Sequence, residues 1–386
     1  MKPYQVFLVL AMAVLLPVEN MLAIPAFARK YNMSCNTCHL PFPRLKPYGD
    51  EFARNGFQLE GKEPPRAFRD TGDDLLLLMR ELPLALRFEG FLRWLPQNGE
   101  GGRTDAEAPY LLKLLSGGQI AKNISYYFYF FFGERGEVAG LEDAFIMFNN
   151  LFGEKLDLYV GQFQVSDPLF KRELRLELED YRIYKVAPGT SAATLEYDRG
   201  LMMTYDLPSG TDIVLEVLNG AGIGAMSGGV FDTDKYKNFV LRVSQDAGEH
   251  LRIGAVGYYG KEEQSGQLNS LWMLGPDLTL SLANLELNLQ YVARQDDNPF
   301  FHPAPLKQKT QGGMAELIYM PDGEKSTWFG ALLYNNVTSD DEALKYESAT
   351  AHFSYLLARN FRLVGEYTYD LQFKANKVSV GLVCAF

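Results

Sequence analysis

From residue 84 to residue 386, apolar side chains return at every second position. Leu84, Leu86, Phe88, Leu92 and Trp94 interleave with Arg87, Glu89 and Arg93. Leu285, Leu287, Leu289, Tyr291 and Ala293 interleave with Glu286, Asn288, Gln290 and Arg294, and Phe361, Leu363, Tyr367, Tyr369 and Leu371 with Arg362, Glu366 and Asp370. A period of two sets successive side chains on opposite faces of a strand, here one apolar and one polar. A soluble sandwich shows the same alternation with strands of about 5 to 6 residues, whereas these continue for about 10 or more, which favours strands that cross a membrane. No run of about 20 apolar residues follows the first 25, so no helix of the mature chain has the make-up to cross a bilayer.

Sixteen strands are expected, near 80–95, 110–119, 122–134, 141–149, 155–164, 194–206, 211–219, 236–247, 250–261, 267–281, 285–294, 310–320, 326–337, 346–357, 361–371 and 376–386. The gaps alternate in length. Long ones at 96–109, 165–193, 220–235 and 295–309 fall on one side, and tight ones at 207–210, 248–249 and 358–360 on the other. An even strand number with this asymmetry predicts an all-β fold, a transmembrane antiparallel β-barrel with both termini periplasmic. In the last strand Val378, Val380, Leu382, Cys384 and Phe386 share an apolar face, similar to the terminal strand with a C-terminal Phe that bacterial outer-membrane proteins present to their assembly machinery. Cys384 on that face reads as a small lipid-facing residue and not as a ligand.

The N-terminal region reads differently. Lys2 and the apolar run 6–16 have the form of a secretory signal, with cleavage expected near Ala23. The segment 24–74 follows, and 75–386 is the barrel. Met33-Ser34-Cys35-Asn36-Thr37-Cys38-His39 carries the Cys-x-x-Cys-His spacing of a c-type haem attachment site. Two thiols at that spacing reach the two vinyl groups of one porphyrin, and the adjacent imidazole falls beneath the iron. Cys35 and Cys38 are thus expected to bind one covalent haem c, with His39 as its proximal iron ligand. The alternatives are a disulfide, half of a zinc site or a redox dithiol. A zinc site needs about four ligands and no second Cys pair exists, while a redox dithiol wants a βαβ setting that is absent.

After the motif, Pro47 at a first helical position and Gly56 at a C′ position predict a short helix whose Leu45, Tyr48 and Phe52 share a face that covers the porphyrin. About 50 residues cannot build a core that encloses a haem, so the barrel must supply part of the enclosure. No motif gives the distal iron ligand. Both His352, which should point into the lumen near mid-strand, and His250, beside a tight turn, are candidates whose plainer reading is a polar lumen residue. Met33 is a further candidate, and His302 reads as part of a solvated loop. The run Lys171, Arg172, Glu173, Arg175, Glu177, Glu179 and Asp180 reads either as solvated surface or as a loop folded inward to constrict the pore. A net charge of −11 argues against a nucleic-acid partner.

An N-terminus reading Ile24-Pro25-Ala26-Phe27-Ala28-Arg29, then the haem motif, Phe42-Pro43-Arg44-Leu45, Tyr48-Gly49 and Phe52, and then a porin-like barrel, resembles the fused outer-membrane monohaem cytochrome-porins. The best-known members of that group are iron oxidases of iron-oxidising bacteria. The likeness is specific over about residues 24–57 and architectural beyond; Tyr159-Val160-Gly161-Gln162-Phe163 also resembles a strand of phosphate-selective porins. It implies a bacterial outer-membrane location, in contact with lipid. It further implies a haem in or under the pore that passes electrons between an extracellular donor, such as iron(II), and a periplasmic carrier, such as a c-type cytochrome. Because the hydrocarbon core is about 30 Å thick, one haem cannot bridge it, and either the donor enters the lumen or the haem segment rises into it. Competing expectations are a diffusion porin whose haem segment is a plug or redox sensor, and a periplasmic redox enzyme anchored by the barrel.

Overall fold

The computed structural model describes residues 26–39, 45–59, 62, 72–73, 75–76, 82–97, 100–135, 137, 140–165 and 178–386. The expected signal segment, most of the linker 60–74 and the charged residues 171–177 lie outside them.

Sixteen strands form one closed antiparallel barrel in which each strand pairs with its sequence neighbours and the first with the last. They are β1 (Leu84–Gln97), β2 (Glu100–Ala121), β3 (Ile124–Glu134), β4 (Gly140–Phe148), β5 (Leu156–Gln164), β6 (Tyr197–Asp206), β7 (Thr211–Leu218) and β8 (Asn238–Ala247). The series continues with β9 (Leu251–Gln264), β10 (Gln267–Ser281), β11 (Leu285–Asp296), β12 (Gln308–Tyr319), β13 (Trp328–Ser339), β14 (Tyr346–Ala358), β15 (Phe361–Asp370) and β16 (Ala375–Ala385). The seam runs from Arg87 opposite Ala385 to Trp94 opposite Val378. Two further bonds lock its end, Leu86 N to Phe386 O at 2.6 Å and Phe386 N to Leu86 O at 2.8 Å. Closure matters because an unpaired strand edge in hydrocarbon leaves polar backbone groups without water to satisfy them.

The alternation resolves into an inside and an outside. On β12, Thr310, Met314, Glu316 and Ile318 are buried while Leu317 and Tyr319 are exposed. Neighbouring strands repeat this, with Trp272, Leu274, Leu332, Tyr334, Phe353 and Tyr355 all on the outer surface. An exterior of Leu, Phe, Tyr and Trp on this scale belongs in lipid, since water-soluble surfaces rarely carry such continuous apolar area. Cys384 lies on the outward parity opposite Phe88, as expected.

One connection differs from expectation. Residues 96–109, read as a long loop, continue the β1–β2 hairpin, with Arg93 opposite Asp105 and Gln97 opposite Glu100. Here Arg103, Asp105 and Glu107 remove the apolar face that marks a strand in lipid, but backbone pairing does not require that face.

The N-terminal segment forms helix α1 (Ala26–Tyr31), a single 3-10 turn at Cys35–Thr37 and helix α2 (Pro47–Arg54). Helix α2 starts at Pro47 and ends in a Schellman motif. Phe57 N bonds Phe52 O at 2.9 Å, Gly56 N bonds Ala53 O at 3.1 Å, and the Phe52 and Phe57 rings meet at 5.8 Å. Gly56 supplies the left-handed conformation the motif needs, with φ of +67°.

Candidate haem pocket and lumen

The N-terminal segment seats against the inner wall of β3 to β7, at the end of the barrel that carries the tight turns. Asn149 Nδ2 donates to Arg54 O at 2.9 Å and Asn150 Nδ2 to Asn55 Oδ1 at 3.2 Å, so the β4–β5 turn holds the end of α2. Arg54 pairs with Asp206 at 2.5 Å and Asp212 at 3.1 Å, on either side of the β6–β7 turn. Across the opening, Lys46 reaches Glu324 at 2.8 Å. An aromatic stack completes the attachment: Phe27 lies on Phe57 at 4.8 Å, and Phe57 on Tyr127 of β3 at 4.9 Å.

The sequence carries an unread sign of this docking. Residues 126–132 read Tyr-Tyr-Phe-Tyr-Phe-Phe-Phe, aromatic on both faces of β3, whereas the inner faces of β11 and β14 present Asn288, Gln290 and Arg294 or Thr350, His352 and Ser354. An inner wall that is aromatic rather than polar needs a cover, and the N-terminal segment provides it.

Between segment and wall lies a cavity of about 1180 Å³, counting its open mouth. Cys35, Cys38 and His39 line it together with Met33. Phe27, Leu45, Gly49, Phe52, Ala53 and Phe57 are among the other N-terminal residues that line it. The opposite side is barrel: Ala85, Leu86 and Arg87 of β1, Lys113 and Leu115 of β2, Tyr127 and Tyr129 of β3, and Ala385 of β16. The 3-10 turn sets Cys35 and Cys38 on the same cavity, with His39 N bonded to Cys35 O at 2.9 Å. A short bridge then sets His39 opposite Leu45, with Lys46 N to Cys38 O at 2.9 Å.

The helix face is corrected in one residue. Tyr48 is 42% exposed and outside the cavity, whereas Gly49 lines it. A Cβ at Gly49 would stand 2.3 Å from Cys38 O, so a glycine is required where α2 crosses the motif. The stripe that faces the cavity is therefore Leu45, Gly49, Phe52 and Ala53, and its smallest member has no hydrophobic side chain to mark it.

Burial pushes the Cys38 thiol up to about 11 and raises that of Cys35 as well. Among the described residues no group of three or more His, Cys, Asp or Glu converges to hold a metal ion. The residues present fit a covalently attached, largely apolar macrocycle.

The other candidates fall elsewhere. His352 points into the lumen as expected, but both ring nitrogens are engaged, Nδ1 with Glu366 Oε2 at 3.1 Å and Nε2 with Ser354 Oγ at 2.8 Å, and its ring stacks on Phe329. It does not line the cavity beside Cys35 and Cys38. His250 lies in the β8–β9 turn and borders a separate vestibule, shared by α2 and the walls of β6 to β10. His302 sits in the β11–β12 loop, where its Nδ1 accepts from Ala304 N at 3.1 Å.

The connection between β5 and β6 enters the lumen. Tyr181 Oη donates to Glu316 Oε1 at 2.8 Å, Arg182 N to Asn335 Oδ1 at 3.2 Å and Glu179 N to Glu366 Oε1 at 2.9 Å. Further along, Arg294 Nη1 donates to Val186 O at 2.8 Å and to Ala193 O at 2.6 Å. Of the two readings of this charged loop, inward folding describes residues 178–196.

Neither a family profile nor a curated protein matches the sequence. Solved structures do match the fold. An anion-selective porin from Comamonas acidovorans superposes with a TM-score of 0.58 at 12% identity, covering 79% of this chain and 99% of the porin. OmpT, an outer-membrane protein of Vibrio cholerae, gives 0.54 at 10% identity, covering 81% and 100%. Salmonella typhi OmpF, in a complex with daunomycin, gives 0.54 at 12% identity, covering 79% and 97%. At these identities the likeness is one of fold: a closed sixteen-stranded barrel of the porin kind.

Proposed function

We propose that this chain is a bacterial outer-membrane barrel carrying one covalent haem c at its periplasmic end, which moves electrons between a small external donor and a periplasmic carrier. The observation that supports it best is the composition of one cavity: Cys35, Cys38 and His39 on one side and the inner wall of β1, β2, β3 and β16 on the other. In this reading the thiols of Cys35 and Cys38 form the thioethers and His39 supplies the proximal imidazole. The bound haem contributes reversible one-electron chemistry at its iron. Phe52, Phe57 and Leu45 keep water from one face, Gly49 lets α2 approach the motif, and Tyr127 and Tyr129 wall off the other side. Tight turns at the end that carries the cavity support a periplasmic location for that end and for both termini.

The donor class follows from the lumen. With residues 178–196 of the β5–β6 connection inside the lumen, a small donor suits the barrel better than a bulky one. Among the described buried residues there are twelve carboxylates (Glu89, Asp143, Asp157, Asp198, Asp212, Glu216, Glu262, Asp277, Asp296, Glu316, Glu366 and Asp370) and four cations (Lys113, Arg242, Arg294 and Arg362), and the half-buried Arg54, Arg87, Arg252 and Lys377 pair with three of the carboxylates. Such a wall favours cations in its pore. Iron(II) is the donor that satisfies size, charge and a one-electron change together, and the anion selectivity of the Comamonas porin is not expected here.

The porin-like fold by itself supports a second reading better, a diffusion porin whose N-terminal haem segment is a plug or redox sensor. Protein reconstituted in liposomes separates the two. Iron(II) added on the loop side reduces the haem if the proposal holds; a haem that stays oxidised while small solutes pass freely assigns the chain to diffusion. Intact mass must show one haem on the mature chain, lost in Cys35→Ala/Cys38→Ala.

A further inference from the structure

Helix α2 separates two spaces. Gly49 and Phe52 line the cavity beside Cys35 and Cys38, Asp50 and Arg54 line the vestibule, and Leu45, Ala53 and Phe57 border both. Ala53 has the smallest side chain of these three, so at that position the partition carries only a methyl group. The vestibule has a volume of about 2420 Å³ counting its open mouth, and nine Asp or Glu line it against five Lys or Arg. Whatever their pairings, these groups leave an excess of negative charge when all are ionised. A concave wall with an excess of one sign focuses its field and raises the local concentration of counter-ions. Asp277 belongs to this wall, with a side chain 3% exposed. Its Oδ1 accepts from Arg242 Nη2 at 2.6 Å, and its Oδ2 has no hydrogen-bond partner among the described residues. A buried carboxylate oxygen in that state calls for a water or an ion. Since no three acidic, His or Cys groups converge among the described residues, a cation there keeps its water shell.

We propose that the vestibule is where a hydrated divalent cation gives its electron to the haem, across the partition of Leu45, Ala53 and Phe57. This rests on the haem reading above and gives the donor of that reading a place. One electron leaves iron(II), which becomes iron(III), and the ferric haem iron becomes ferrous; no bond forms or breaks. Outer-sphere exchange of this kind falls steeply with separation, so Ala53 sets its rate, while the acidic wall sets how much donor is present. Donor and haem then need no opening between the two spaces, and the apolar cavity stays closed to the ion.

Two measurements on the full purified chain test this. The first does not depend on turnover. Manganese(II), which does not reduce the haem, should speed the relaxation of the ferric haem signal in electron paramagnetic resonance. Glu249→Gln/Glu286→Gln, which removes two acids from the vestibule wall, should weaken that effect. A parent haem whose relaxation manganese(II) leaves unchanged overturns the proposal. The second is the rate of haem reduction. Ala53→Leu thickens the partition at a helix position that suits either residue, and should slow reduction by iron(II) severalfold at an unchanged midpoint potential. Ala53→Ser should keep the parental rate, and Glu249→Gln/Glu286→Gln should slow reduction by iron(II) but not by an uncharged hydroquinone. A haem-loaded Ala53→Leu chain that iron(II) reduces at the parental rate overturns the proposal. Should that variant fail to fold, the manganese(II) measurement on the parent decides. A parent haem that iron(II) leaves oxidised, or a parent chain without haem, instead defeats the functional reading on which the proposal rests.

Discussion

Single residues fix how the N-terminal segment meets the wall. Gly56 has a left-handed φ of +67°, and a Cβ there would lie 2.1 Å from Ser125 Oγ and 2.5 Å from Asn149 Oδ1. Gly56→Ala combines backbone strain with that clash and should weaken docking by about 1 to 3 kcal/mol, seen as faster proteolysis of the N-terminal segment while the barrel stays resistant. Phe57→Ala removes a ring held between Phe27 and Tyr127 and should cost about 3 kcal/mol by the same assay. The histidines give a negative prediction. His352 is engaged at both nitrogens and His250 borders the vestibule, so His250→Ala and His352→Ala should leave the ferric haem spectrum unchanged. Among these positions the motif was legible from spacing, and Pro47 and Gly56 from their end-of-helix preferences. Gly49 was not legible, because a glycine in a helix is ordinary until the opposing surface is known.

At the scale of elements, the loop 178–196 has the most to reveal. Burial raises the Glu179 carboxyl, although the Tyr346 hydroxyl donates to it and Lys377 lies near. A carboxyl raised in the docked state holds its proton more tightly there than in a detached loop. Its contribution to docking is full below the ordinary glutamate value of about 4.3 and is lost as pH rises through the raised one. Single-channel closures should therefore become longer on acidification, and Glu179→Gln should flatten that dependence. Shortening the loop by removing 178–185 should raise conductance by cutting the anchors at Glu316, Asn335 and Glu366. Sequence left open whether this run was solvated or inward, since charge tolerates both settings; its partners lie more than a hundred residues away on β12, β13 and β15.

For the whole molecule, buried carboxylates outnumber buried cations among the described residues, which favours cations over anions in the lumen of the proposed pore. Bilayer reversal potentials in a potassium chloride gradient should show cation selectivity, and Glu316→Gln/Glu366→Gln should reduce it. The barrel itself was legible residue by residue, because the period of two is local: each strand shows which side faces lipid before it has a partner. Strand number and alternating gap lengths then left closure as the only way to pair every edge. The sequence could also state that a haem spacing was present and that some fifty residues were too few to enclose the group. What it could not state is where the enclosure comes from. Aromatic inner faces on β3 and the glycine beneath Cys38 become a cavity only when strands distant in sequence curve around the N-terminal segment. Periodicity is a property of neighbours along the chain, whereas a pocket is a property of surfaces that only tertiary structure brings together.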